Sequence, residues 1–437
     1  MKKASSALRI AILTDDFYPH SGGVARSIEL QIAELTASGH QVTLFAPKTH
    51  FTPPENCAYE ALDVWRISGT PSYLCSLRFG RKLAERIAKQ YKFDVIHTQN
   101  ERGAMFLGAQ LARLMRIPHV HTFHSNYAAT HRTSPFASAL NSLTYLHLAP
   151  LIMRHYCPEK DKIKVYFPRQ LSAAENSTIA RADWKNIARL ARFTDAFTSP
   201  AQFMIEAIVD ASRGQLGERA FVVPNGVASI FNQAQRIRPA EETVRFLSCC
   251  RLDPEKRVDV IIKAFAKLKR DNAELYIVGS GSQDQKLRRL AERIVTRGRV
   301  VFLGKYDDIE RLANEYANAD AFVFASYRFD TQGMVLAEAA AAGTPIIYCD
   351  GRLEIGVTPN NALLVNPSAS ALAVGMRRLA DDPNLRLKMA TASKEVGQSL
   401  SATTMMDKFT GVYRYALETQ PLIQLNHETP QFSPEHP

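Results

Sequence analysis

No two of the six cysteines stand in a CxxC or other metal-ligand spacing, so the signature of a zinc site is missing. They read as reduced, mostly buried thiols of a cytosolic protein. Long apolar runs are missing too: nothing approaches the roughly 20 residues of a membrane span. The longest uncharged stretch, Thr133 to Met153, is diluted by Ser, Thr, Asn, His and two prolines. The N-terminal "MKKASSALRIAILTDD" carries two lysines, but Arg9, Asp15 and Asp16 leave no clean apolar segment, so no signal peptide is expected. There is no Lys/Arg run with interleaved aromatics, which sets nucleic acid aside as a partner. No internal repeat is visible. These absences lead to the expectation of a cytoplasmic globular protein.

At 437 residues, a single core is not expected, and two domains of about 200 residues each are. The 46% hydrophobic and 22% charged composition leaves ample apolar surface to bury. The net charge is +11 and unevenly placed, with +8 in residues 1–218 and +3 in the remainder. A basic first half suits anionic lipid or a phosphorylated substrate.

Short apolar runs alternate with amphipathic segments along most of the chain. "LRIAILTD", "HQVTLFAP", "FDVIHTQN", "IPHVHTFH", "DAFTSP" and "AFVVPNG" read as buried parallel strands, as do "VRFLSCCRL", "AELYIVGSG", "VVFLGKY", "DAFVFASY" and "TPIIYCD". Helices separate most pairs, which predicts an α/β protein with parallel sheets covered on both faces. Two Rossmann-like, doubly wound domains are expected, residues 1–218 and 219–400. A helix over 401–418 is expected to return to the first domain, and the proline-bearing tail 419–437 to be disordered.

Ligands of open parallel sheets bind where strands run into helices. Four such loops stand out. "FYPHSGGVARS" sets Gly22 and Gly23 before a helix, where backbone amides can approach an anion. "CRLDPEKRVD" places Arg251 and Lys256 five apart after a strand. "VGSGSQDQ" is a glycine turn that on its own reads as a tight turn. "YRFDTQGMVLAEAAAAGTP" holds Asp330 and Glu338 around a helix start at Gly333 and Met334. Two cations and a helix start make a cradle for a diphosphate, able to stabilise its developing charge without a metal. Glu338 suits the paired hydroxyls of a ribose, and Asp330 those of a sugar. The plain alternative for both acids is a helix-start charge and a solvated carboxylate. The acids of "DDF" and "YDDI" read as caps or solvated groups rather than metal ligands.

The order of these elements resembles the retaining glycosyltransferases of family four, which have the GT-B fold. The likeness runs from the "GGV" loop through "PNGV", "RLDPEK", "VGSG" and "FLG" to the acid-x7-Glu element before "GTP". It implies two domains facing across a cleft, a UDP- or GDP-linked sugar donor, and no cofactor or metal. Arg251 and Lys256 would bind the donor diphosphate, Glu338 the ribose, and Asp330 the sugar. Gly22 and Gly23 would lie against the phosphates, and His124 in "HTFHSNY" would line the sugar pocket. Sugar would transfer with retention by front-face attack. His97, His119 and His121 stand near His124, and any of the four can equally be a core histidine. Three positions depart from the family pattern: Asp330 where Glu is usual, Gln332 where an aromatic is, and Cys250 where glycine is. They bear on the donor sugar more than on the activity.

Two other classes compete. A nicotinamide enzyme would need G-x-G-x-x-G after a strand with an acid about 20 residues on, and neither glycine loop supplies it. An inactive glycosyltransferase-like partner would be expected to have lost Arg251, Lys256 or Glu338, and all three are present. The acceptor side is read from "LRFGRKLAERIAKQYKFD", where Phe79, Leu83, Ile87 and Tyr91 share one helix face and Arg78, Lys82, Arg86 and Lys89 another. This is either a helix packed on the sheet with a solvated basic side or, with the stretch 133–153, a surface resting on an anionic membrane and presenting a lipid or glycan acceptor. The metal-free cradle predicts that transfer survives excess EDTA. Loss of activity restored by Mg²⁺ or Mn²⁺ would contradict the family resemblance.

Overall fold

Strands form where the apolar runs stand, and those at Val95–Thr98, His119–Thr122, Ala196–Ser199, Ala321–Phe324 and Ile346–Tyr348 are buried along their whole length. The computed structural model describes all residues except 1–6, 17–21, 49–56, 67–74, 132–134, 161, 170, 172–176, 239–242 and 425–437; for 135–138 and 420–424 only the backbone is described. The chain divides into two units. Unit 1 comprises residues 1–125, 140–223 and 406–437, and unit 2 comprises 126–139 and 224–405.

Unit 1 carries strands β1 (Arg9–Leu13), β2 (Gln41–Pro47), β3 (Ala58–Leu62), β4 (Val64–Arg66), β5 (Cys75–Leu77), β6 (Val95–Thr98), β7 (His119–Thr122), β8 (Ala196–Ser199) and β9 (Ala220–Val222). Seven of them form one parallel sheet in the order β3-β2-β1-β6-β7-β8-β9. The remaining pair, β4 and β5, makes a small antiparallel ribbon. Helices Arg81–Gln90 and Gly103–Met115 cover one face through Ala84, Ile87, Leu107 and Leu111, packed on Leu13, Phe45 and Ile96.

Unit 2 carries β10 (Val244–Cys249), β11 (Ala273–Val278), β12 (Arg299–Gly304), β13 (Ala321–Phe324), β14 (Ile346–Tyr348) and β15 (Ala362–Leu364), all parallel, in the order β12-β11-β10-β13-β14-β15. Alternate residues of a strand feed opposite cores, as the two-residue period of a strand requires. Leu247, Phe322, Phe324 and Ile346 enter one core. Phe246, Ala321, Val323 and Ile347 enter the other. In both sheets the chain runs outward from a central strand, returns, and continues on the other side. The order reverses between β1 and β6 and between β10 and β13, and loops at such a reversal splay apart to leave a crevice.

The break between units falls at Val223/Pro224 rather than at 218/219, because Ala220–Val222 pairs with β8 and extends the first sheet. Residues 126–139 group with unit 2, not with the first domain as expected. The last helix, Ala402–Gln424, runs beyond the expected end at 418, so the start of the expected disordered tail is helical; residues 425–437 lie outside those described. Its residues from Met406 belong to unit 1.

There Tyr413 reaches a buried polar network at the sheet's carboxyl end. His97 Nδ1 lies 2.8 Å from the Tyr413 hydroxyl and Nε2 2.8 Å from Thr122 Oγ1. Thr98 Oγ1 lies 2.8 Å from His119 Nε2 and 2.7 Å from His121 Nδ1. Burial holds these imidazoles neutral, lowering His97 and His119 to about 3, His124 to about 4, and His121 well below its usual value. A histidine with a depressed folded pKa gives stability above its unfolded value near 6.5, and that stability is lost as pH falls, because the unfolded chain takes up the proton first. Buried Asp15, raised to about 7, has the opposite sign below pH 7, as have Asp16 and Glu29, which burial also raises, but the four imidazoles outnumber them. The melting temperature is therefore expected to fall steadily from about pH 6.5 towards 4, each histidine contributing about 1.4 kcal/mol per pH unit well below 6.5. A melting temperature unchanged between pH 7 and 5 would contradict the neutral network.

Candidate active site

Pairing of Phe246 with Ala321 and Leu247 with Phe322 brings the carboxyl ends of β10 and β13 side by side. The loop after β10 carries Arg251 and Lys256, and the loop after β13 carries Ser326 and Asp330. These loops meet: Lys256 Nζ pairs with Asp330 Oδ1, and Ser326 Oγ donates to Asp330 Oδ2. Both side chains of the ion pair are mostly buried. Arg251 is about half exposed and pairs with Asp253 and, at 2.6 Å, with Glu255. Each cation is neutralised by carboxylates of these two loops, because a charge leaving bulk water needs a partner.

The glycine turn after β11 explains how the Arg251 segment is held. Gly279 has φ +139°, and a Cβ there would lie 1.9 Å from the carbonyl oxygen of Cys250. Only glycine permits that approach. Backbone pairing continues past the strands, Leu252 N–H donating to Ser280 O at 2.9 Å and Gln283 N–H to Leu252 O at 2.8 Å. Asp253 Oδ1 accepts from Ser282 N–H and Oγ at 3.0 and 2.8 Å. Arg257 sits in the left-handed region at φ +54° and donates to Ala325 O and Pro367 O at 3.2 and 2.7 Å, joining the two loops.

Helix Met334–Ala341 starts at Gly333, whose left-handed φ of +71° turns the chain into it, and no side chain caps its first amides. Those amides carry the partial positive charge of a helix start. Glu338 is buried and accepts from the hydroxyl of fully buried Tyr316 at 3.0 Å. The alanine run has a steric reason. A Cβ on Gly356 would lie 2.7 Å from Ala337 Cα, and one on Gly397 2.3 Å from Ala341 Cα, so backbone packs on backbone. Gln332, directly before Gly333, is buried, and its amide pairs with the backbone of Asn225.

The other expected residues belong to unit 1. Gly22, at φ +62°, opens helix Gly23–Ala37 without a side-chain cap. His124 is buried, with Nε2 2.8 Å from Gln99 Oε1; Gln99 in turn donates to Gln31 at 2.8 Å, so His124 joins the network around His97 and Tyr413. At the β1/β6 reversal, buried Asp15 accepts from Leu77 N–H at 2.7 Å and Ala104 N–H at 3.1 Å, the latter in the first turn of helix Gly103–Met115. Asp16 pairs with Arg102 at 2.5 Å. The acids of "DDF" thus act as a cap and an ion pair. Among the described residues no three His, Cys, Asp or Glu side chains cluster as metal ligands.

Residues 21–229 match the model of glycosyltransferase family 4, and residues 229–396 that of the glycosyl transferases group 1. Together the two span most of the chain. It is a family-four glycosyltransferase. Curated relatives of this glycosyltransferase include an alpha-monoglucosyldiacylglycerol synthase of Streptococcus pneumoniae, 28% identical over 78% of this chain and 70% of the relative. A phosphatidyl-myo-inositol mannosyltransferase of Mycolicibacterium smegmatis is 27% identical over 89% of each. Among solved structures, Anabaena Alr3699/HepE in complex with UDP superposes with a TM-score of 0.65 at 18% identity, covering 93% of this chain and 100% of that one. WaaG, a glycosyltransferase of lipopolysaccharide biosynthesis, gives 0.59 at 16%, covering 94% and 99%. The fold is GT-B.

Proposed function

We propose that this glycosyltransferase is a metal-independent, retaining hexosyltransferase that uses a UDP- or GDP-linked sugar and delivers it to a lipid or cell-envelope glycan acceptor. The observation that carries this reading is the convergence of Arg251, Lys256 and the uncapped helix start at Gly333 and Met334 on one strand-order reversal. A departing nucleoside diphosphate gains negative charge, and fixed cations with oriented amides offset it without reorganising. Asp253, Glu255 and Asp330 hold the cations in its absence. The diphosphate brings its own charge, takes over Arg251 and Lys256, and frees Asp330 for the hydroxyls of the sugar. Glu338, oriented by Tyr316, takes the ribose. The phosphate role of Gly22 and Gly23 and the sugar-pocket role of His124 rest on the family resemblance.

A lipid acceptor is supported by the names of both relatives, and a resting place on the inner face of the membrane is argued from unit 1. Helix Arg81–Gln90 turns Lys82, Arg86 and Lys89 outward while Ala84 and Ile87 are buried. Helices Pro135–Leu143 and Tyr145–Tyr156 expose Leu140, Leu143, Leu148 and Leu151. Helices Arg81–Gln90 and Tyr145–Tyr156 both pack on Gly103–Met115, which brings basic and apolar surface to the same side of one sheet. No helix among the described residues is long and apolar enough to cross a membrane.

Arg251→Met and Lys256→Met are each expected to lower turnover by about 10²- to 10³-fold, as loss of one fixed donor to a leaving group does. Near-normal rates of donor hydrolysis and transfer in both variants would refute the assignment. For the acceptor surface, sedimentation with vesicles at low salt should recover the protein with anionic but not neutral lipid, each Lys or Arg near the surface contributing about 1 kcal/mol. Equal recovery in the supernatant with both lipids would favour a soluble acceptor.

A further inference from the structure

We propose that Gln332 is a positioning residue that fastens the donor-binding turn to the two points where the chain crosses between the units. The inference rests on the donor site proposed above. The carboxamide of Gln332 imitates the edge of a peptide. Its Oε1 accepts from Asn225 N–H at 2.7 Å, and its Nε2 donates to Asn225 O at 3.0 Å, the two bonds a neighbouring strand would make. Both residues are buried, 4% and 8% exposed, so the pair is shielded from competing water.

What Gln332 grips is not an ordinary loop. Asn225 lies two residues beyond the crossing at Val223/Pro224, and the return crossing is at Met405/Met406. The two crossing segments are joined on the unit 2 side. Val227 N–H donates to Leu400 O at 2.8 Å and Val227 bridges Ser401. A Cβ on Gly226 would lie 2.7 Å from Ala402 Cα, and Gly226 N–H points at Met405 Sδ at 3.3 Å. On its other side, Gln332 is bonded to Gly333, whose left-handed conformation sets where the donor helix begins, and stands two residues from Asp330. The turn that would hold diphosphate and sugar therefore has its backbone fixed by the crossing segments, 107 residues away in sequence. An amide alone serves. Glutamate would set a carboxylate against the Asn225 carbonyl, and methionine fills the space without either bond. Because binding and positioning are linked, a nucleotide that orders the turn must also order Asn225 to Val227, and a loosened clasp must weaken the nucleotide by the same factor.

The test uses UDP and GDP as probes on the full chain, with calorimetry for affinity and hydrogen exchange for backbone protection. In the unsubstituted protein, the nucleotide that binds should slow exchange both at 333–338 and at 225–227. In Gln332→Met, affinity should fall about tenfold, and the slowing at 225–227 should vanish while that at 333–338 persists. A purely structural side chain would lower the melting temperature without separating the two segments. Should Gln332→Met fail to fold, Gln332→Asn, one methylene too short to reach both groups, serves for the same comparison. Unchanged affinity with coupled protection in the variant would overturn the clasp alone. Binding of neither nucleotide by the unsubstituted protein would overturn the donor site and the clasp with it.

Discussion

Everything in the candidate site depends on one pairing, that of β10 with β13 where the strand order of unit 2 reverses. The two strands are far apart in sequence, yet their carboxyl ends emerge as neighbours. Each continues into a loop that carries charge, and the charges find each other because neither could be left alone in a half-buried crevice. Lys256 and Asp330 are the direct product of that meeting. The crevice, the helix start and the ion pair are thus consequences of topology, filled in by a small number of side chains.

Much of this was legible before any coordinates. The parallel sheets are legible because a strand buried on both faces is a near-continuous apolar run, as in IAIL of β1 and AFVF of β13. The strands that escaped notice, β3, β4, β5 and β15, are short or partly exposed and carry little such signal. The boundary near 218 was misplaced because "AFVVPNG" continues apolar past β9, and only the pairing with β8 shows to which sheet it belongs. Within the site, the chemistry could be read where it is local: Arg251 and Lys256 in one loop, Gly333 and Glu338 in one helix start. The carboxylates that neutralise Arg251 stand in the same "RLDPEK" loop and were within reach of the same reading. The partners 22, 74 and 107 residues distant, Tyr316 for Glu338, Asp330 for Lys256 and Asn225 for Gln332, were not, since no periodicity reports them.

Unit 1 handles polarity differently. Its central strands carry Thr98, Thr122 and Thr198 together with His97, His119 and His121, all buried. Thr122 and Thr198 lie 2.7 Å apart at Oγ1, and the chain of bonds reaches from the sheet to the last helix through Tyr413. Such a network fixes one arrangement of helix and sheet more sharply than apolar contact would, at a cost wherever a group stays unmatched. His119 Nδ1 and His121 Nε2 are two such groups, without a hydrogen bond among the described residues. His124 belongs to this structural fabric through Gln99, one of the two readings the sequence holds open for it.

The close packing of helix Met334–Ala341 on Gly356 and Gly397 has an implication for divergence. With backbone set against backbone, the helix has no side-chain volume to trade, so it cannot drift or rotate without a clash. The stretch from Tyr327 to Thr331, before the clasp at Gln332, is less constrained: it is surface-facing in part and bonded mainly through side chains. Sequence change in proteins built this way must accumulate in the loop, while the helix behind it stays a fixed wall.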